Sequence, residues 1–253
     1  MSFDVAFRGG RMLRRNLRVM RRTWWVPVSG LAEPVFYLLS IGIGLGRLVG
    51  PIDGYPFQAY VAPALLAASA MNGAVYEATF NVYFKLKYAR VYDAVLATPM
   101  GAGDVANGEI VTATARGSVY SAVFVAMMWG LGDVRSPWAC LDLPAAVLVG
   151  FAFAATGMAA TTYMRGWTDF DLVQLALLPM FLFSGTFYPL STYPAWVRAL
   201  VEATPLYHGV ALERGLTLGA LSPSLAGHAA YLAAMGAAGV AIAGRRIRSL
   251  LLA

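Results

Sequence analysis

The side chains that could carry chemistry in this chain are few, and several stand inside apolar runs. Glu33, followed by Pro34, and Glu77, four residues before Asn81, are carboxylates in otherwise apolar segments, and Arg116 is a cation in another. An ionisable group so placed is a proton or ion site, or it pairs with a partner of opposite charge. Covalent chemistry has less to work with. GxxxxGK[ST] is absent, and Gly101–Gly108 (GAGDVANG) is glycine-rich without the Lys-Ser or Lys-Thr that a phosphate-binding loop of that type needs. HExxH and GxSxG are absent too, and Ser184-Gly185 alone does not make a nucleophile elbow. His208 and His228 are the only histidines and Cys140 the only cysteine, so neither an internal disulfide nor a cysteine metal cluster can form within one copy. The chain is expected to hold no cofactor or metal of its own and to hydrolyse no ATP.

The elements that must position these residues are membrane spans. Hydrophobic residues make up 59% of the 253 and charged residues 13%, against about a quarter charged in soluble domains. Apolar runs of span length, or close to it, fall at about 26–49, 59–84, 110–131, 144–164, 172–188 and 225–243. No polar block is long enough to fold separately, so 1–253 reads as a single all-α transmembrane domain. Residues 3–24 carry seven arginines, with Phe3, Phe7, Leu13, Leu17, Met20 and Trp24 in an arc of about 140°, the pattern of an interfacial amphipathic helix. Those arginines, Lys85, Lys87, Arg90, Arg165, Arg245, Arg246 and Arg248 fall on one side of a six-span layout. Only Arg47, Arg135, Arg198 and Arg214 fall on the other. The positive-inside rule then places both termini in the cytoplasm. The net charge of +6 is thus a record of topology, and nucleic acid is not an expected partner. The excess of arginine over lysine and the many alanines fit a GC-rich bacterial genome, hence a bacterial cytoplasmic membrane.

Within the spans, Gly42, Gly46 and Gly50 lie four residues apart, a spacing that lets helices approach closely. Asn72, Tyr76, Thr79 and Tyr83 share a sector of about 60° on an α-helical wheel, a stripe that either lines a path or joins two helices. The longest polar interruption is 85–109, KLKYARVYDAVLATPMGAGDVANGE, whose middle, 88–97, has helical spacing and ends at Thr98-Pro99. Its apolar side is expected to need cover from a partner protein. At 181–214, FLFSGTFYPLSTYPAWVRALVEATPLYHGVALER, Pro194 and Pro205 bracket a helix at 195–203 too short to span a bilayer. Aromatic residues crowd both of its flanks, as at a membrane–water interface.

Two of these stretches together resemble one family, the membrane subunits of ABC-type-2 exporters, in the branch that includes nodulation-factor and daunorubicin-type drug exporters. They are YDAVLATPMGAGDVANGEI at 92–110 and FSGTFYPLSTYPAWVRALVEATPLYHGVALER at 183–214. The resemblance implies a permease subunit that moves an amphiphilic or hydrophobic cargo out of the cell, a drug, a lipid or a lipid-linked glycan. ATP and Mg would sit on a separate ATP-binding subunit, present in two copies. A second membrane subunit, a copy of this chain or a related permease, would complete the path. Tyr88, Arg90, Val91, Tyr92, Asp93, Val95, Leu96, Thr98, Pro99 and Met100 would form a coupling helix seated in the ATPase, and Arg165, Asp169 and Asp171 a second inner contact. The path would be lined from Glu33, Tyr37, Asn72, Tyr76, Thr79, Tyr83 and Phe183. Gly185, Phe187, Tyr188, Pro189, Pro194, Trp196, Pro205, His208 and Arg214 would build an outer re-entrant element that caps the exit. The alternative is a self-sufficient secondary transporter or channel, with Glu33 and Glu77 as its ion sites.

Overall fold

The computed structural model describes residues 35–89 and 91–252. The interfacial helix expected at 3–24, Glu33, Arg90 and the first part of the span expected at 26–49 lie outside the described residues. Among the described residues the chain is helical and has no strand, apart from one isolated bridge between Ile52 and Tyr55 in a turn.

Helix α1 (38–49) winds as a π-helix over Leu38–Leu45 and finishes in α form over Gly46–Val49. It leans on α2, Phe57–Lys87, close enough that a Cβ on Gly42 would lie 2.9 Å from Gln58 Cγ. A short helix α3, Val91–Leu96, leads to α4, Ala102–Leu131. A 3-10 turn, Pro137–Leu141, opens onto α5, Asp142–Thr161. Then come α6, Asp169–Phe183, α7, Ala195–Glu202, α8, Pro205–Leu218, and α9, Ser224–Leu252. Among the described residues, four helical stretches are long and apolar enough to cross a membrane: Phe57–Lys87, Ala102–Leu131, Pro137–Thr161 and Ser224–Leu251.

Helix α5 packs against α2, α4 and α9, α4 also meets α2 and α9, and α8 is wedged between α2, α5 and α9. Small residues make this closeness possible. Ala59, Ala62, Ala64, Ala67, Ala70 and Ala74 are buried along α2, and α5 answers with Ala145, Ala146, Ala152, Ala154 and Ala155. Where helices in lipid gain little from the hydrophobic effect between them, close van der Waals contact supplies the attraction. Backbone meets backbone where Gly239 of α9 faces Ala155 of α5, leaving 2.6 Å for a would-be Cβ.

Several expected boundaries move. Helix α4 begins at Ala102, so the glycine-rich stretch assigned to the polar interruption forms its first two turns. The Asp104 carboxylate accepts the Gly101 N–H at 3.0 Å and so satisfies a donor at the helix start. Helix α9 continues through Arg245, Arg246 and Arg248, beyond the span expected at 225–243. The span expected at 172–188 is a helix over 15 residues, Asp169–Phe183, or about 22 Å, short of a hydrocarbon core of about 30 Å. It stops where Gly185 turns to φ +73°, a left-handed conformation open to glycine.

Candidate functional site

The end of the bundle that carries α3 brings together the two stretches expected to meet a partner. On α3, Tyr92 and Val95 are buried against Val105 of α4, with Leu86, Met100 and Leu251 beside them. The apolar side of this helix is therefore covered largely by its own chain, a correction to the expectation that a partner must cover it. Periodicity reveals that a helix has an apolar side but not which neighbour meets it. Asp93, Ala94, Ala97, Thr98 and Pro99 are exposed, and Val91, Leu96 and Met100 are half-buried at the edge.

Beside α3, the turn joining α5 to α6 is held by an aromatic stack. Tyr88 and Trp167 lie 5.6 Å apart, and the Trp167 indole N–H donates to the Tyr88 hydroxyl at 2.7 Å. Phe170 stacks on Phe80 of α2, and the Tyr83 hydroxyl donates to the Arg165 carbonyl at 3.2 Å. The Asp169 carboxylate accepts the backbone N–H groups of Arg165 and Gly166, and these bonds hold its pKa below the usual aspartate value. Asp171 is exposed. Through these contacts α2, the segment before α3 and the inner turn form one connected block.

A buried charge network lies deeper. Glu77 of α2 is ion-paired with Arg116 of α4, and Arg116 Nε donates to the Tyr120 hydroxyl at 3.0 Å. Lys85 bonds Glu109 at 2.7 Å, and Asn81 donates to Glu77. Sequence reasoning saw Glu77 with Asn81 and named no partner for Arg116; the pairing joins residues far apart in the chain, which spacing does not reveal. Glu77–Asn81 is also a π-helical turn. One extra residue in a turn rotates everything after it by about 100°. That divides the expected stripe: Tyr76 is exposed and Asn72 half-buried, while Thr79 and Tyr83 are buried. Thr79 lines a cavity of about 650 Å³ with Val75, Phe153, Thr156, Tyr163 and Leu172. Tyr37 touches Phe181 at 5.7 Å and Phe183 is exposed at the end of α6.

At the other end, Gly185 and Thr186 offer carbonyls to Arg214, whose guanidinium also lies 3.9 Å over the Tyr60 ring. This clamp ties the loop after α6 to α8. Phe187 packs on Phe181, and Tyr188 is exposed. Pro189 opens a 3-10 turn, Pro194 precedes α7 and Pro205 opens α8. Trp196 and Leu200 are 69% and 63% exposed, so α7 presents its apolar side outward. His208 of α8 and His228 of α9 share a hydrogen bond of 2.7 Å between their Nδ1 atoms, with Tyr231 stacked on His208. Sequence reasoning missed two groups here, Asp142 and Glu213, both fully buried.

A helical bundle whose helices are long and apolar enough to cross a bilayer, with its inner polar groups joining helix to helix, defines an integral membrane protein. The particular class is then set by comparison. The sequence profile described as ABC-2 type transporter matches residues 10–217, and the chain belongs to that family. It is 32% identical to Nodulation protein J of Sinorhizobium fredii (strain NBRC 101917 / NGR234) over 79% of this chain and 78% of the relative. It is 31% identical to Nodulation protein J of Rhizobium leguminosarum bv. viciae over 81% and 80%. A more distant relative, Inner membrane transport permease YadH of Escherichia coli (strain K12), is 22% identical over 78% and 75%. The chain is a membrane permease of an ABC transporter, a transport subunit rather than an enzyme, and the family works with an ATP-binding subunit.

Proposed function

We propose that this chain is the membrane half of an ATP-driven exporter for an amphiphilic or hydrophobic cargo, a drug, a lipid or a lipid-linked glycan. In this reading 1–253 is one domain of six spans in a bacterial cytoplasmic membrane, with both termini cytoplasmic. Two ATP-binding subunits carry ATP and Mg, and a second membrane subunit, a copy or a related permease, completes the path. The observation that carries the reading is α3, a short helix at the basic end of the bundle. It is braced from behind by Val105 and Leu251 and presents Asp93, Ala94 and 97–99 outward. A brace behind and an exposed face in front are what a helix needs to pass a push from a partner into α2 and α4. The inner turn at Arg165, Asp169 and Asp171 adds a second contact beside it. The secondary-transporter alternative is weakened because Glu77, one of its two ion sites, is paired with Arg116.

Affinity purification in mild detergent tests this, with co-purifying subunits identified by mass and the eluate assayed for ATP hydrolysis. The wild-type chain should retain a soluble ATP-binding protein. Leu96→Asp, at the half-buried edge, and Ala94→Arg, on the exposed face, should both lose it while remaining membrane-inserted. Full retention by both variants, with normal transport, would overturn the assignment of α3.

A further inference from the structure

Asp142 of α5 and Glu213 of α8 are fully buried carboxyl groups that belong to none of the networks above. Both Glu213 side-chain oxygens and Asp142 Oδ1 lack any hydrogen-bond partner. Thr217 stands one turn after Glu213 on the same face of α8. Its hydroxyl lies 3.0 Å from Asp142 Oδ2 and 2.9 Å from the Glu213 main-chain carbonyl. A hydroxyl has one proton to give. If the carbonyl receives it, as a helical threonine commonly arranges, then the contact with Asp142 is a hydrogen bond only when Oδ2 carries a proton of its own.

No cation answers the pair among the described residues. Arg214 follows Glu213 directly, but successive helical residues point about 100° apart, and its guanidinium is taken by Tyr60 and the Gly185 carbonyl. From α2 come Tyr60 and Gln58, the latter donating to Asp133. Arg135 reaches α8 through its backbone N–H to Thr217. On α9 the titratable groups near α8 are His228, held by His208, and Tyr231, stacked on His208; on α7, Arg198 and Glu202 pair with each other. Helix α6 has its carboxylates, Asp169 and Asp171, at its far, inner end. Two buried carboxyl groups with three of their four side-chain oxygens unpartnered take up a proton rather than both remain charged.

We propose that Asp142 and Glu213 form a proton-binding site between α5 and α8, in which the ligand is a proton held by the pair while α8 is seated in the bundle. Thr217 touches both residues, so the proton is assigned to the site rather than to either group alone. Withdrawal of α8 from α5 wets both carboxyls and releases it, so the seated arrangement is favoured as pH falls on the side from which water reaches the site. The assignment does not depend on the exporter reading.

Infrared spectroscopy of the purified full chain in lipid tests it. At neutral pH the wild type should show a protonated-carboxyl C=O band that shifts in heavy water and is lost in the Asp142→Asn/Glu213→Gln double variant. The amides keep the shape of the neutral acids, so the variant should fold. If it is not recovered, Glu213→Gln and Asp142→Asn alone decide by loss of all or part of the band. A band unchanged in all variants, or absent from the wild type, overturns the proposal. So does a carboxylate band that moves when sodium is exchanged for potassium, which would assign a bound cation instead.

Discussion

Arg116 and Glu77 show what a buried charge costs when its partner is removed. Their side chains are 10% and 6% exposed, and Glu77→Gln removes the negative charge that the Arg116 guanidinium faces. Loss of one partner of a buried pair costs about 3–5 kcal/mol, while replacing both can be close to neutral. Thermal unfolding in detergent should therefore fall steeply for Glu77→Gln and recover in part for Glu77→Gln/Arg116→Gln; additive losses would show that the two do not depend on each other. Asp169 makes a prediction in pH. Its folded pKa is depressed by the N–H groups of Arg165 and Gly166, so its contribution is complete above the ordinary aspartate range and is lost as pH falls through the lower folded value. Trp167 fluorescence should report the inner turn loosening in acid, and Asp169→Asn should be flat over the same range. The sequence showed which residues were unusual but not what they touched. Glu77 and Arg116 both stood out, but not as partners of each other. Glu213 stayed hidden because Arg214 beside it suggests a local pair that helix geometry forbids.

Close packing of α5 on α9 has a sharp test in two glycines of α9. At Gly239 a Cβ would fall 2.6 Å from the Ala155 carbonyl carbon and 2.7 Å from the Thr156 nitrogen, both backbone atoms that cannot step aside. At Gly244 nothing lies within 4 Å. Gly239→Ala should thus cost about 1–3 kcal/mol by forcing the helices apart, whereas Gly244→Ala should gain about 0.5–1 kcal/mol from helix propensity. Thermal midpoints of the two variants should move in opposite directions. The helices themselves were legible wherever an apolar run was long: α2, α5 and the short α7 between its prolines lie within a few residues of where periodicity put them. What periodicity could not register was the π-helical turn at Glu77–Asn81, because a helical wheel assumes one period throughout. Nor could it show that α6 stops five residues before the apolar run does, since that end is made by the Gly185 turn and the Arg214 clamp.

The molecule is not equally covered on all sides. Helix α6 touches the bundle sparsely, and Leu172, Leu175, Leu178 and Leu182 along it are 63%, 70%, 60% and 43% exposed. Tyr76 on α2 and Phe183 at the end of α6 add aromatic surface, 53% and 47% exposed. Helix α9 also shows apolar residues outward, with Ile242 at 43%, so exposure alone does not distinguish a lipid-facing side from one that meets another subunit. The difference lies in length. Helix α9 is long enough to cross the bilayer alone, whereas α6, with 15 residues, leaves polar backbone at its ends at membrane depth, which lipid does not satisfy. A short helix continued by an irregular loop needs protein around it, which in the proposed exporter a second membrane subunit would supply. Cysteines separate the two sides in a Cys140→Ser background. Leu178→Cys should give a disulfide-linked or bifunctionally cross-linked species containing two membrane chains, and Ile242→Cys should remain uncrosslinked at the same reagent concentration. Mass identification of the second chain then tells a copy from a related permease. Equal cross-linking at both positions, or at neither, would remove α6 from the subunit interface and return its leucines to lipid.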